Sequence, residues 1–471
     1  MKAILIVLDT LRRDFLRCCG NPWIRTPAFD AFAKESAVFD DYRIVSFPTV
    51  PARRDIATGR FSFPWKGWEP LSGEHPILAD VLTKRGVVTQ LIADTSPMFR
   101  DGYGFDRGFQ GFWALRGQED DSLNTDPDPP EMPAPNEKLR ERPATFLDQC
   151  RRNLKYRLPL ERDQFAPKIF SAAEEWLERN RTHKDFFLWV DSFSPHEPWD
   201  QPFPYDSMYD PGYKGDKLVS PRYGLAHWIT AREKKNLVAL YGGMVTFVDK
   251  WIGRLFEKVK SLGLWDETMI IVTSDHGFNF GEHNVVGKIG GTLYDEETRV
   301  PLIIHDPRAR KAGMRMKGFA QPPDLMPTLL DYFRIPKPPS VHGESLLPRL
   351  RRARDPGPAR PFALSTQRGH PFTWAEGRHT YVRWPRDPAR LKKLYDSRAP
   401  GDKSICGRFK DELYDIHSDP GQEKCLHARR PDLARKFDAN VRNFIEGLDA
   451  PADFRALYWP QASAAQERKN A

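Results

Sequence analysis

A threonine near the start of the chain has the surroundings of a covalent nucleophile. Thr49 precedes Pro51 by two residues and Arg53 by four, and a Thr-Gly-Arg sequence at 58–60 closes the segment. The pattern is typical of a loop that enters a helix. A helix N-terminus presents free N–H groups and positive partial charge, so an anionic ester held there would be open to attack by the Thr49 hydroxyl. The alternative is that Thr49 only caps the helix.

Acids and a histidine that suit a divalent cation follow two apolar runs. Asp9 comes directly after the first run, and Asp275 and His276 come directly after the run at 269–274. Carboxylates bind hard or borderline cations, and imidazole is a ligand for zinc or manganese. We expect one divalent ion, with Mn or Zn favoured and Ca or Mg as alternatives, which would lower the pKa of the nucleophile's hydroxyl. The predicted ligands are Asp9, Thr49, Asp275 and His276.

Three cationic or imidazole side chains are candidates to work beside Thr49. Lys288 lies in a Gly-rich stretch, where an ammonium can contact a non-bridging substrate oxygen as charge builds in the transition state. His196, in a Pro-His-Glu-Pro sequence, would protonate the leaving oxygen. Arg53, one helical turn past Thr49, would orient the nucleophile or bind a substrate oxygen. The simpler alternatives are a solvated loop lysine and a turn histidine bonded to the backbone.

The elements that must position these residues alternate along the chain. Continuous apolar runs at 3–8, 186–190 and 269–274 are typical of buried strands, and each is followed by acids or histidine. Because open α/β sheets bind ligands at the carboxyl ends of their strands, these residues should meet at one edge. Helical segments between the runs favour a mostly parallel sheet between layers of helices. The predicted helical segments are 29–37, 76–85, 166–180, 232–262 and 324–333.

Two stretches rich in proline interrupt this pattern. An acidic, Pro-rich segment followed by a short predicted helix at 143–155 indicates an insertion at about 117–165. A second Pro-rich stretch at 336–339 precedes a region with weaker apolar periodicity. A chain of 471 residues is long enough for more than one core. We therefore predict a catalytic domain over 1–350 and a smaller C-terminal α+β subdomain over 351–471.

Composition narrows the choice of partners and compartment. The chain has 72 basic and 64 acidic residues, a net charge of +8, and no basic run with interleaved aromatics, so no nucleic-acid partner is expected. Its five cysteines show neither a disulfide framework nor C-x-x-C spacing. The first apolar run is too short for a signal peptide, and no stretch reaches the ~18 apolar residues that span a bilayer. We expect a cytoplasmic protein without a membrane partner, and the sequence leaves a homo-oligomer open.

Motifs along nearly the whole chain resemble those of the sulfatase branch of the alkaline phosphatase superfamily. The segment 49–60 is similar to the sulfatase signature, normally Cys-x-Pro-x-Arg followed by Thr-Gly-Arg. Further segments that resemble this family are 8–14, 20–22, 26–27, 103–109, 274–283, 299–302 and 412–420. The resemblance implies an α/β/α sandwich around a large, mostly parallel mixed sheet, with a short antiparallel sheet in the C-terminal part.

The resemblance also implies a site. One metal would be held by Asp9, Asp275, His276 and the nucleophile, with Lys288 and His196 beside the substrate and Arg53 supporting Thr49.

The chain departs from the sulfatase pattern at three places, and two of these departures favour phosphorus chemistry. Sulfatases have a Cys, or in some bacteria a Ser, at the position of Thr49 and convert it to formylglycine, whereas related phosphodiesterases and phosphoryl transferases use an unmodified Thr. Residues 92–96 stand where many sulfatases have Gly-Lys-Trp-His. There, Asp94 and Thr95 would bond a phosphoryl or phosphonyl oxygen or a bridging group, as in phosphonate monoester hydrolases. Thr10 replaces a second aspartate and leaves the metal shell less anionic.

The predicted function is a metal-dependent hydrolase of phosphodiesters or phosphonate monoesters that works through a covalent Thr49 intermediate on a small anionic ester. One alternative is a sulfuric ester hydrolase with an atypical Thr nucleophile. Others are a phosphoryl head-group transferase and a catalytically silent, sulfatase-like binding protein. A second metal on Asp191 with His342 or His370 is a further alternative.

Overall fold

An eight-stranded mixed sheet forms the centre of the protein. The structure is a computed structural model that describes residues 1–139, 145–155, 160–289, 293–309, 313–352, 355–387 and 410–460. In spatial order the strands are β11 (Arg315–Ala320), β2 (Ala37–Tyr42), β10 (Leu302–His305), β7 (Thr268–Ser274), β1 (Lys2–Leu8), β5 (Phe186–Ser192), β3 (Val88–Ala93) and β4 (Gly111–Ala114).

The three apolar runs of the sequence lie side by side in this sheet. Strand β1 runs parallel to both β5 and β7, and Leu8 is level with Ser192 on one side and Ser274 on the other. Strand β10 is antiparallel to β7 and β2, which makes the sheet mixed. All residues of the three central strands are buried, as expected for strands covered on both faces. The carboxyl ends of these strands therefore meet at one edge, where Asp9 and Asp275 follow.

Helices cover both faces of the sheet. Alternate residues of β1 enter separate cores, with Ile4 and Ile6 on one face and Leu5 and Val7 on the other. The α-helices of the described residues are α1 (Pro27–Lys34), α2 (Thr49–Thr58), α3 (Leu78–Thr83), α4 (Thr145–Lys155), α5 (Phe165–Asn180), α6 (Ala231–Ser261), α7 (Asp295–Thr298), α8 (Leu325–Tyr332), α9 (Leu347–Arg351), α10 (Pro431–Gly447) and α11 (Ala452–Ala456). The first face packs against α1, α5 and α6, and the second packs against α2, α3, α8 and α9.

The predicted C-terminal antiparallel sheet is present. Its strands, in spatial order, are β12 (Phe362–Thr366), β13 (Phe372–Glu376), β14 (His379–Arg383) and β15 (Glu412–Asp415). Helix α10 packs on this sheet through Phe437 and Val441, which share a core with Trp374 and Tyr381. A third, small sheet consists of β6 (Gly224–Leu225), β9 (Val285–Gly287) and β8 (Asn279–Phe280).

The predicted α/β/α sandwich is confirmed, and the five predicted helical segments correspond to α1, α3, α5, α6 and α8. In the predicted insertion, α4 forms over Thr145–Lys155, and residues 140–144 lie outside the described part of the chain. The division into domains after residue 350 stays a prediction. Among the helices of the described ranges, none has both the length and the apolar character needed to span a bilayer.

Candidate active site

Thr49 is the first residue of α2, a helix whose ten residues are all buried. Pro48 occupies the cap position and offers no side-chain hydrogen bond to the first turn. The Thr49 hydroxyl instead lies 3.3 Å from Nε2 of His276, across the end of the sheet. The predicted nucleophile and a predicted metal ligand are therefore in contact.

The remaining predicted metal ligands converge on the same point. One ligand atom from each of Asp9, Asp275 and His276 lies within 4.8 Å of the others, and all three side chains are fully buried. Nε2 of His276 is 3.8 Å from Oδ1 of Asp9 and 3.4 Å from Oδ2 of Asp275. Nδ1 of His276 donates to the carbonyl oxygen of Gly277 at 2.9 Å. The lone pair of Nε2 therefore faces the carboxylates, as a metal-binding imidazole requires.

The electrostatics of this group fit a cation. Burial, and then the neighbouring Asp275, raise the pKa of Asp9 well above its usual value. Burial lowers the pKa of His276 to about 3, which keeps the imidazole neutral. Oδ2 of Asp9 is buried and accepts no hydrogen bond. Two carboxylates, a neutral imidazole and a hydroxyl form a donor set that suits one divalent ion.

Thr10 supports both carboxylates with neutral donors. Its N–H donates to Oδ1 of Asp275 at 2.9 Å, and its hydroxyl donates to Oδ1 of Asp9 at 2.8 Å. Its φ is 65°, a left-handed conformation that is strained for a β-branched residue. Tyr241 donates its hydroxyl to the Thr10 carbonyl at 2.8 Å and helps to hold this backbone. Thr10, which stands where the sulfatase pattern has a second aspartate, thus orients the carboxylates of Asp9 and Asp275.

Arg53 is fully buried one turn after Thr49 and is surrounded by carboxylates. Its Nε donates to both oxygens of Asp191 at 3.0 and 2.9 Å, and Nη2 donates to Oδ1 of the same residue at 2.8 Å. Nη1 donates to Asp275 at 2.5 Å and lies 3.2 Å from Oδ2 of Asp9. Burial alone would lower the pKa of Arg53, but these acids raise it well above its usual value. Nη1 also donates to the Thr49 carbonyl at 3.2 Å, which ties the guanidinium to the nucleophile's backbone.

The carboxylate of Asp191 forms a hydrogen-bonded ion pair with Arg53. Besides Arg53, the Thr95 hydroxyl donates to its Oδ1 at 2.6 Å, and Nε1 of Trp189 donates to its Oδ2 at 3.1 Å. The sequence left open a second metal on Asp191, yet neither group of three potential metal ligands in the described residues contains it, His342 or His370. Thr95 therefore supports the partner of Arg53, and its predicted contact with substrate stays a prediction.

Asp94 joins two segments beside the site. Its side chain is fully buried, with Oδ1 accepting from the Phe193 N–H at 2.6 Å and Oδ2 accepting from Nε2 of Gln118 at 3.1 Å. These bonds connect the end of β5 to the start of the predicted insertion. The predicted contact of Asp94 with substrate is not tested by this arrangement and stays a prediction.

The stability of the protein should depend on pH through Asp94. Burial raises the pKa of this carboxyl from 3.8 to about 7, so between these values the folded protein retains a proton that the unfolded chain releases. Stability should then fall as the pH rises through this window, by roughly 4 kcal/mol. The Asp94→Asn variant has no carboxyl at this position, so its free energy of unfolding lacks this pH dependence. Its free energy of unfolding in urea, compared with that of the wild type at pH 4 and pH 7.5, checks the prediction, and parallel pH profiles would contradict it.

His196 belongs to a neighbouring cluster of buried ionisable groups. One ligand atom from each of Glu119, His196 and Glu197 lies within 4.8 Å of the others. Nδ1 of His196 is 2.5 Å from the carbonyl oxygen of Glu197 and 3.3 Å from Oε2 of the same residue. The imidazole stacks on the ring of Phe193, with 4.0 Å between the ring centroids. Glu119 was not predicted as a site residue, because it lies in a segment interpreted as an inserted loop. No role was predicted for Glu197. The signal available for Glu197 was its place in the Pro-His-Glu-Pro sequence.

Lys288 is next to the first cluster. Its Nζ lies 3.9 Å from Oδ1 of Asp9, and its side chain is 6% exposed. It directly follows β9, and residues 290–292 of the Gly-rich stretch lie outside the described residues. An ammonium in this place can face both the carboxylates and an incoming anion.

This geometry can be compared with known proteins. Residues 2–335, most of the chain, match the family described as Sulfatase. The chain belongs to the sulfatase family. Membership of this family identifies the protein as a hydrolase that acts on ester bonds.

Relatives of this sulfatase-family chain include an alkaline phosphatase superfamily protein and an arylsulfatase. It is 27% identical over 417 residues to the multifunctional alkaline phosphatase superfamily protein PehA of Trinickia caryophylli, covering 74% of this chain and 76% of that protein. It is 28% identical over 390 residues to an arylsulfatase of Clostridium perfringens, covering 73% and 77%. The crystal structure of a phosphonate monoester hydrolase of Agrobacterium radiobacter superimposes with a TM-score of 0.72 at 20% identity, covering 95% and 96% of the chains. At that identity the structural match shows the fold alone.

Proposed function

We propose that this sulfatase-family protein is a metal-dependent hydrolase of phosphodiesters or phosphonate monoesters that forms a covalent adduct on Thr49. The observation that carries the proposal is the threonine at the first position of α2, with its hydroxyl 3.3 Å from Nε2 of His276. Formylglycine, the sulfatase nucleophile, is made from Cys or Ser. A threonine in its place suits attack on phosphorus, because the resulting ester can be hydrolysed by water.

Asp9, Asp275, His276 and the Thr49 hydroxyl would hold the metal ion. When bound, the ion supplies positive charge that neutralises the substrate and lowers the pKa of the hydroxyl. The proposed metal is Mn or Zn, because a neutral imidazole stands beside the two carboxylates, with Ca or Mg as alternatives.

The proposed reaction has two displacements at phosphorus. In the first, the Thr49 hydroxyl gives its proton to solvent, Oγ1 bonds to phosphorus, the bond from phosphorus to the leaving oxygen breaks, and that oxygen takes a proton from His196. In the second, a water molecule loses a proton to His196 and bonds to phosphorus. The bond between phosphorus and Oγ1 then breaks, and Oγ1 takes a proton from solvent. A phosphomonoester or a phosphonate is released.

Two cations would support both displacements. Lys288, which faces Asp9 across 3.9 Å, would contact a non-bridging oxygen as negative charge increases. Arg53 would act as a positioning residue, because its guanidinium is bound to three carboxylates and to the Thr49 carbonyl. It holds the first turn of α2 against the metal ligands, which fixes the direction of the nucleophile.

A sulfuric ester hydrolase with an atypical threonine is the second candidate. The observation in its favour is the similarity to an arylsulfatase over 73% of this chain. In that case a Thr49 sulfate ester would have to be hydrolysed by water at an adequate rate.

A panel of substrates and metals separates these candidates. The purified protein would be treated with a chelator and reconstituted with Mn, Zn, Ca or Mg, and then assayed on an aryl phosphodiester, a phosphonate monoester, a phosphomonoester and an aryl sulfate. We expect chelation to abolish activity and Mn or Zn to restore it, with kcat/KM for the phosphodiester or phosphonate exceeding that for the sulfate by about 100-fold, near 2.7 kcal/mol. Dominant sulfate turnover would overturn the proposal in favour of the second candidate.

A further inference from the structure

A cavity of about 480 Å³ lies at the opposite end of α2 from Thr49. Helix α2 ends at Thr58, which lines the cavity, and a ten-residue helix is about 15 Å long. The cavity is therefore separate from the candidate active site. Its polar lining includes Arg54, Arg60, Lys66, His75 and His342.

Arg60 lines this cavity and has no acidic partner among the residues that the structure describes. One Nη donates to the Ser340 carbonyl, and the guanidinium carbon lies 5.6 Å from the ring centroid of Trp65. Within the described ranges, no carboxylate forms an ion pair with Arg60, although the side chain is half-buried. The charge of this half-buried guanidinium is therefore available to an anion that enters the cavity.

His342 contributes another donor. Its Nδ1 accepts from the Phe61 N–H at 3.2 Å, so in the neutral ring the proton is on Nε2. The imidazole lies 6.4 Å from Trp65, measured between ring centroids, which places it near the same indole as Arg60. Burial and then the charge of Arg60 lower the pKa of His342 to about 4. The imidazole of His342 is therefore neutral at pH 7 and keeps its proton on Nε2.

Arg54 is a further basic side chain of the lining. Its side chain is 4% exposed, and its Nη groups donate to the carbonyls of Gly67 and Glu69. Its Nε is buried and makes no hydrogen bond. The acids that line the cavity are Glu74, which pairs with Lys66 at 3.4 Å, and the exposed Asp449. The lining thus has three basic side chains, those of Arg54, Arg60 and Lys66, and two acidic ones.

We propose that this cavity binds an oxyanion of the phosphate or sulfonate type carried on a small organic group. Such a head accepts hydrogen bonds only and matches the guanidinium of Arg60 and the Nε2–H of His342. The ammonium of Lys66 is already paired with Glu74 at 3.4 Å and Glu69 at 3.8 Å. The cavity is larger than a bare oxyanion needs, and Trp65, Leu71 and Leu448 give it an apolar wall for the organic group. The site does not depend on the reaction proposed for Thr49.

Binding of benzenesulfonate tests this site. Its sulfur is bonded to carbon rather than through an ester oxygen, so an ester hydrolase does not consume it. Calorimetric titration of the wild type should give a Kd that is weakened at least about tenfold by Arg60→Gln, since one charge-assisted contact is lost. His342→Phe, which keeps an aromatic ring between Phe61 and Trp65, should weaken binding about fivefold by removing one donor. The control Arg25→Gln changes an exposed arginine outside the lining and should leave Kd unchanged.

A variant of the candidate active site distinguishes anion binding at this cavity from anion binding at the active site. Lys288→Gln removes the cation beside Asp9 and should leave benzenesulfonate binding at the cavity intact, whatever its effect on turnover. Binding that is lost in Lys288→Gln but kept in Arg60→Gln would place the anion in the active site and overturn the inference. Unchanged binding in both Arg60→Gln and His342→Phe would also overturn it. Thermal melting of each variant confirms that it is folded before titration.

Discussion

Replacing Thr49 with alanine is expected to lower kcat on an aryl phosphodiester by about 10⁴-fold or more, because the substitution removes the atom that would bond to phosphorus. The surrounding helix should persist, since Thr49 is followed by nine further buried residues of α2. Steady-state assays with the reconstituted metal measure the loss. Mass spectrometry of the acid-quenched wild type should show a phosphoryl or phosphonyl adduct on the peptide that contains Thr49, and the variant should lack it.

Thr58→Ala is the matched control for this experiment. Thr58 belongs to the same helix, is also buried, and donates its hydroxyl to the Arg54 carbonyl at 2.7 Å. Its loss should cost about 1 kcal/mol of stability and leave kcat within about twofold. Full activity of Thr49→Ala on every substrate would reject the covalent mechanism. The mass of the wild-type peptide also reports whether Thr49 is chemically modified.

Replacing Arg53 with methionine should destabilise the protein by about 3–5 kcal/mol, because it leaves buried carboxylates without their counter-ion. Asp191 would lose its three guanidinium bonds, and Asp9 and Asp275 would repel each other more strongly. Urea denaturation at neutral pH without added metal measures the change in the free energy of unfolding. Activity should fall as well, since the Thr49 carbonyl loses its bond to the guanidinium.

A double-variant cycle shows whether the loss arises from the unpaired acids. Adding Asp191→Asn to Arg53→Met should recover about 1–3 kcal/mol, since a buried charge is removed together with its partner. Arg54→Met is the matched single control: this neighbouring arginine is 4% exposed and donates to backbone carbonyls, without a carboxylate ion pair among the described residues. It should cost less than Arg53→Met. Equal losses for both arginines would contradict the counter-ion role.

The centre of the fold was predictable because its signal is local and strong. The runs at 3–8, 186–190 and 269–274 are continuously apolar, and each became a central strand that is buried on both faces. Their parallel arrangement then requires the residues at their carboxyl ends to meet. This is why Asp9 and Asp275 could be grouped although 265 residues lie between them in sequence.

The connections within the site were less predictable, since they depend on side-chain directions that the sequence does not encode locally. From the sequence, Asp191 could be either a metal ligand or the partner of an arginine. Only the geometry of Arg53 distinguishes these roles. Asp94 lies one residue past β3, a place typical of ligand contacts, but both its oxygens accept hydrogen bonds from neighbouring segments. Glu119 approaches His196 from a segment whose composition predicted a surface loop.

The position of β1 between two late strands has a consequence for biosynthesis. Its neighbours β5 and β7 begin at Phe186 and Thr268, so at ~5–20 residues per second the ribosome needs roughly 13–50 s after Leu8 to finish supplying both partners. Throughout that time a wholly apolar strand core has at least one edge without its native neighbour, a state prone to association with other chains. Production of the folded enzyme should therefore depend on chaperones that bind the nascent β1 segment until translation has passed β7.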